Sequence, residues 1–262
     1  MKKYLSIYKT LLGTNLSALM IYRGNFYSSL FSSILFGALS ILSIVLLTSK
    51  TSNIYGWKRD EIILISTVYS IVIGIFHTVL SRNFDRFSRI VNLGELDLLL
   101  TKPIDSQFSV SMWVFNYTSI ARIILGVLLT WYMVQRMQLN VGLVEIASFV
   151  VLTIFGIVLL YSIWFLFTTI TIWFTRLSNI VDLMYFMTGF ARFPKEMYQQ
   201  LTEFIFLFIL PLSLVVTIPT KAILNRILLG EVGELIILTL GLFIATRMFW
   251  KFALRFYTSA SS

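Results

Sequence analysis

Apolar stretches long enough to cross a lipid bilayer recur along this sequence, and they narrow its fold more than any other feature. They lie at about Phe26–Leu47, Ile62–Leu80, Ser109–Val134, Ile146–Phe174 and Leu235–Trp250, with a further run from Phe204 to Ile218. Roughly eighteen or more such residues in a helix cross a hydrocarbon core about 30 Å thick. Inside lipid every backbone N–H and C=O must be paired within the chain, which makes these runs helices. The short alternating segments of a membrane barrel are absent. Composition agrees, with 58% hydrophobic and 13% charged residues, where soluble domains carry roughly 45–50% and 25%. The sequence predicts an all-α polytopic membrane protein, a single transmembrane domain over residues 1–262.

Several chemistries are excluded. Cysteine is absent, which rules out disulfides, thiolate nucleophiles and Cys-based metal sites. His77 is the only histidine; within an apolar run it reads as a satisfied core residue rather than a catalytic base, and no metal centre is expected. No G-x-x-x-x-G-K-[ST] occurs, so the chain has no loop to cradle phosphates and binds no nucleotide by that motif. The formal charge of +9 reads as basic residues flanking spans beside anionic headgroups, not as a nucleic-acid surface. Met1–Arg23 lacks the apolar core and Ala-x-Ala-like site of a cleavable signal peptide. Its Leu5, Tyr8, Leu12, Leu16 and Leu19 share one helical face, which predicts a flat interfacial helix over residues 1–23.

Polar punctuation places the turns. Thr48–Asn53 closes the first span, Asp60 is the expected N-cap of the second, and Thr175–Ser178 reads as a tight turn before a shorter helix, Asn179–Ala191. Three of the four prolines, Pro194, Pro211 and Pro219, fall between Arg192 and Arg226. Proline removes one helical hydrogen bond and clashes with the preceding turn. A break at Pro211 is therefore expected, giving a re-entrant helix pair over residues 194–224 entering from the outer face. The alternative makes Phe204–Ile218 the fifth span, with Asn179–Ala191 in the interface. Either way six crossings put both termini on one side. Twelve Lys and Arg residues accompany the amino-terminal side against eight on the other, and this bias places both termini in the cytoplasm.

Between the second and third spans lies a charged, amphipathic insert, Arg82–Asp105. Phe84, Phe87 and Val91 recur at helical spacing, and Asp85 and Arg89 form an i,i+4 pair. Gly94 interrupts, Glu95–Leu100 restarts, and Pro103 biases Lys102 away from the helical region. Leu98, Leu99 and Leu100 either fill a groove on a partner protein or pack on the chain's own helix ends. Two ionisable residues fall within spans: Arg122, midway along the third, and Asp182, one turn into the fifth. A charge at mid-bilayer costs roughly 2.5–3.5 kcal/mol on insertion scales, so Arg122 should face protein or water. It either lines a pathway and attracts an anionic group or pairs with an acid such as Asp182, the preferred reading.

The stretch Gly94-Glu95-Leu96-Asp97-Leu98-Leu99-Leu100-Thr101-Lys102-Pro103-Ile104-Asp105 resembles the G-x-L/F-D-x-x-L-x-x-P-hydrophobic segment of ABC-2-type permeases. Phe193-Pro194, Phe208-Ile209-Leu210-Pro211 and Ile218-Pro219 resemble that family's late proline-rich region. The resemblance implies the transmembrane half of an exporter in the cell membrane. Two such halves, identical or paired with a sister permease, would sit on two separate ATPase subunits that bind ATP and Mg. It also implies that residues 82–108 are the coupling segment, with Arg86, Arg89, Gly94, Glu95, Leu96, Asp97, Leu98, Leu99, Leu100 and Pro103 facing the ATPase. Pro194, Pro211 and Pro219 would belong to an extracytoplasmic gate. An ion-coupled secondary transporter and a membrane scaffold without a pathway are the other readings of the spans, and the substrate is left open.

Overall fold

The computed structural model describes residues 2–50, 53–174, 179–198 and 203–257. Lys2–Ile21 form α1, and the chain bends at Tyr22 into α2, Arg23–Leu47. A two-residue antiparallel hairpin, β1 (Asn53–Ile54) with β2 (Trp57–Lys58), leads into α3, Arg59–Phe76. One π turn, His77–Ser81, joins α3 to α4, Arg82–Asn92, within one unbroken helical path. The short α5 (Asp97–Leu100) and α6 (Ser106–Ser111) follow, and a 3-10 turn at Tyr117–Ser119 opens α7, Ile120–Arg136. Next come α8, Leu143–Thr169, and α9, Ile180–Thr188. Two 3-10 turns, Gly189–Arg192 and Lys195–Tyr198, precede α10, Glu203–Ile223, and α11, Leu229–Ala253.

Among the described residues, five helical stretches are long and apolar enough to cross a membrane: Arg23–Leu47, Arg59–Asn92, Tyr117–Arg136, Leu143–Ile172 and Leu229–Ala253. Ile209–Ile223 is a shorter apolar helix. α3 is the buried axis of the bundle, with Ile62, Leu64, Ile65, Val68 and Val72 fully enclosed. A methyl group on Gly126 would meet the Ile71 nitrogen at 2.9 Å, so the backbones of α3 and α7 touch there. Small residues permit such approach between membrane helices. Thr130 donates to Thr67 across the same contact at 2.9 Å. α2, α7 and α11 turn Phe31, Phe36, Leu42, Trp131, Ile237 and Ile244 outward, a surface suited to lipid and far too apolar for water.

The bundle has two distinct ends. At one, Tyr117 donates to the Leu12 carbonyl of α1, Lys3 to the Pro103 carbonyl, and Tyr257 to the Gly94 carbonyl. The insert, α1 and the last described residue therefore share this end. At the other, Asn225 donates to the Asn140 carbonyl and Arg226 pairs with Glu61 at 2.9 Å.

Four expectations need correction. The second span is capped by the side chain of Glu61, which accepts the Lys58 N–H at 2.9 Å, while Asp60 pairs with Arg136 at 3.6 Å. Position N3 rewards an acid that reaches back to the cap N–H. The third span does not begin at Ser109: Met112–Asn116 is irregular and the crossing helix starts at Tyr117. Arg122 thus lies in the first two turns of that helix, not midway. Finally, α10 runs as one helix through both Pro211 and Pro219, so the expected break at Pro211 does not occur. The turn expected at Thr175–Ser178 lies outside the described residues.

Candidate functional site

The insert end is built on a rigid stem. α4 continues α3, buries Phe84, Phe87, Ile90 and Val91, and leaves Arg89 and Asn92 exposed. Its end is a Schellman turn: Glu95 N–H bonds the Ile90 carbonyl at 2.9 Å, and Gly94 N–H bonds the Val91 carbonyl at 3.1 Å. Gly94 sits at φ +70°, the left-handed geometry that glycine adopts without strain. Arg86 and Lys102 both approach the Trp113 ring, at 5.2 and 3.9 Å, which ties the two arms of the insert together.

Beyond Gly94 the leucines divide. Leu96 and Leu99 are buried, at 0% and 3% exposure, Leu100 is half-buried, and Leu93 and Leu98 project outward at 61% and 68%. The three consecutive leucines therefore do not act together: one face holds the elbow to its own chain, and the other faces outward beside Glu95, Thr101 and Pro103, all exposed. Asp97 is half-buried at the base.

Asp105 closes the insert. It caps α6 by accepting the Phe108 N–H at 3.0 Å and forms a two-point pair with Arg247 of α11, which also reaches Gln107. Burial acts to raise the Asp105 carboxyl, but the Arg247 and Phe108 hydrogen bonds outweigh it and hold it below the usual carboxylate range. Sequence reasoning did not single out this pair.

Nor did it find Asn83, which is fully buried in α4. Its carboxamide oxygen accepts the N–H groups of Trp113 and Val114 at 2.8 and 2.7 Å, and its nitrogen donates to the Val114 carbonyl at 2.8 Å. These bonds replace the helical partners that Met112–Asn116 lacks, as irregular backbone in this setting requires.

At the opposite end an ion cluster joins three elements. Glu231 of α11 lies 3.0 Å from Lys195 and 2.7 Å from Lys221 of α10; Lys221 also meets Glu196 at 2.7 Å, and Lys195 meets Glu234 at 3.3 Å. Trp57 donates to Glu196 at 3.0 Å. Burial acts to lower the Lys195 ammonium, but Glu231 and Glu234 outweigh it and raise it. Pro194 is buried next to this cluster and Pro219 is buried one turn before its end, whereas Pro211 is half-buried in α10.

The two ionisable span residues are not brought together. Asp182 is exposed at the insert end, sharing a hollow with Asp85, Ser88, Arg89 and Asn92. Arg122 faces a different cavity of about 520 Å³ between α2, α3 and α7. Its guanidinium stands 5.7 Å from the Tyr69 ring, and that of Arg192 stands at the same distance. The expected Arg122–Asp182 pair is therefore overturned, because the nearest charge to Arg122 on the ring they share is another cation. His77 edges the cavity, stacked on Tyr185 at 5.6 Å and bonded to Ser81 at 3.0 Å.

A family model described as ABC-2 family transporter protein matches residues 34–261. The chain belongs to the ABC-2 transporter family. It is a multi-pass membrane permease component of an ABC-type transport system, and membership of the family implies a partner ATPase. No curated sequence and no solved structure matches the chain significantly.

Proposed function

We propose that this ABC-2 permease is one transmembrane half of an exporter in the cell membrane, with six crossings and both termini in the cytoplasm. The observation that carries this reading is the exposed face of the insert, mounted on a helix continuous with α3 and sharing an end with α1 and residue 257. A push on Leu93, Glu95, Leu98, Thr101 and Pro103 passes through the Gly94 turn into α4. From there it passes through the π turn His77–Ser81 into α3, the buried axis of the bundle, along one continuous helical path. A separate ATPase, holding ATP and Mg, supplies that push when its nucleotide sites close. Arg86, Arg89 and Asp97 give charge register, while Leu96, Leu99 and Leu100 keep the elbow stiff.

The sixth crossing is made by residues 180–223 taken together. Tyr185 bonds Asp85 at the insert end, while Lys195 and Lys221 both reach the acids of the far end. Residues 194 and 224 then both lie toward the outer face, which suits a re-entrant gate that carries Pro194, Pro211 and Pro219, moves α10 as one helix and is latched by the ion cluster. A second permease half, identical or not, completes the pathway, and Arg122 lines it. Asp182 belongs with the coupling side.

Leu98→Asp tests the docking face. Because Leu98 is exposed, the variant should fold and insert normally while ATPase co-purification falls at least tenfold. Retained ATPase binding with Leu93→Asp and Leu98→Asp combined would overturn the docking assignment.

A further inference from the structure

The cavity at Arg122 has a chemistry of its own. Along α2, Ser28, Ser32, Ser33 and Ser40 face it over a helical length of about 18 Å. Serines in this number on an otherwise lipid-facing helix form a polar stripe with no hydrophobic purpose. With them in the lining stand Arg122 and Arg192, each 5.7 Å from the Tyr69 ring, and Arg82. No aspartate or glutamate among the described residues lines the cavity. Among the described residues, none of the three arginines forms a salt bridge.

Two donors inside it are buried with no hydrogen-bond partner among the described residues: Nε of Arg122 and Oγ of Ser40. Arg192 satisfies its own Nε with the Gly189 carbonyl at 3.0 Å, and no other hydrogen bond from its guanidinium is formed among the described residues. Like charges sharing one aromatic ring at low dielectric repel, and buried donors left unmade are costly. Both costs vanish when one group enters that carries negative charge and accepts several hydrogen bonds at once. Guanidinium forks match oxyanions in that way.

We infer that this cavity binds an oxyanion, a phosphate or carboxylate group, between Arg122, Arg192 and the serine stripe of α2. The bearer is either the headgroup of an anionic lipid or a soluble anion, and the chemistry at the site is the same. The assignment rests on reading Arg122 as part of the transport route, and it names the class of group that route receives.

The test uses the full chain with its ATPase, reconstituted in phosphatidylcholine nanodiscs. One arm adds phosphatidylglycerol to the discs, and the other adds inorganic phosphate to phosphatidylcholine discs. Thermal unfolding midpoint against anion concentration is the readout. The unaltered protein should be stabilised in a saturable manner in at least one arm, and the arm that responds identifies the source. Arg122→Gln with Arg192→Gln should weaken the response at least tenfold, while Lys251→Gln, which removes a cation outside the cavity, should leave it unchanged. Ser33→Ala with Ser40→Ala keeps every charge and should weaken it several-fold, which covers the case of a double arginine variant that fails to fold. Equal responses from the unaltered protein and the serine variant in both arms, or no response in either, would overturn the site. ATPase co-purification is scored in the same samples. Its retention alongside a lost anion response defeats the anion site alone, whereas its absence from the unaltered protein defeats the permease reading.

Discussion

Val215 has a carbonyl without its helical partner, because Pro219, four residues on, has no N–H to offer. That carbonyl faces α8 at Gly156, where an added methyl group would lie 2.7 Å from the oxygen. Gly156→Ala should therefore push α10 off α8 and lower stability by about 1–3 kcal/mol. Gly241→Ala, with nothing within 4 Å of the new methyl, should be neutral; thermal unfolding in detergent compares the two. Asp105 gives a second prediction. Its carboxyl is held below the ordinary value of 3.8, so its contribution is complete above that pH and disappears as pH falls through the lower folded value. Asp105→Asn should remove this acid-side loss while keeping the α6 cap, since asparagine accepts the Phe108 N–H equally well, and should cost no more than about 1 kcal/mol at neutral pH from the screened pair with Arg247. Single residues of this kind were legible only where one residue type dictates geometry. Gly94 announced its turn, but Leu96, Leu98 and Leu99 look alike in sequence, and only the surface beneath a one-turn helix decides which of them is covered.

The helices that act as units were legible by hydropathy, and their ends less so. The apolar run from Ser109 hides the irregular Met112–Asn116, because the Asn83 carboxamide that supports it comes from some thirty residues earlier. Hydropathy weighs side chains and cannot register a backbone satisfied from afar. For a similar reason Pro211 looked like a break, yet α10 passes through it, packed along α8 and pinned at its far end by ions. Glu231 joins Lys195 and Lys221, with 13% of its side chain exposed. Glu231→Gln leaves two mostly enclosed ammonium groups short of their shared acid. It should cost on the order of 3 kcal/mol and loosen residues 194–224, read as faster amide exchange in α10. The raised Lys195 makes its contribution fully present below its ordinary value of 10.5 and lost as pH rises through the higher folded value. The variant should accordingly lose less stability than the unaltered protein on going to strongly alkaline pH.

Across the whole molecule, an end bearing both α1 and residue 257 is coupled by one continuous helix, Arg59–Asn92, to an opposite end latched by ions. The helical membrane class and the position of the insert were readable from apolar runs and charge. The cation cavity was not, since Tyr69, Arg122 and Arg192 come from three distant segments and only folding sets them side by side. The absence of cysteine makes the central claim directly measurable, because a single introduced thiol is unique in the chain. With Leu98→Cys in the assembled complex, crosslinking to a cysteine on the ATPase surface should be efficient and should change when ATP and Mg are supplied. Absence of any crosslink from Leu98→Cys, alongside efficient crosslinking of Asn225→Cys at the opposite end to the same ATPase, would contradict it.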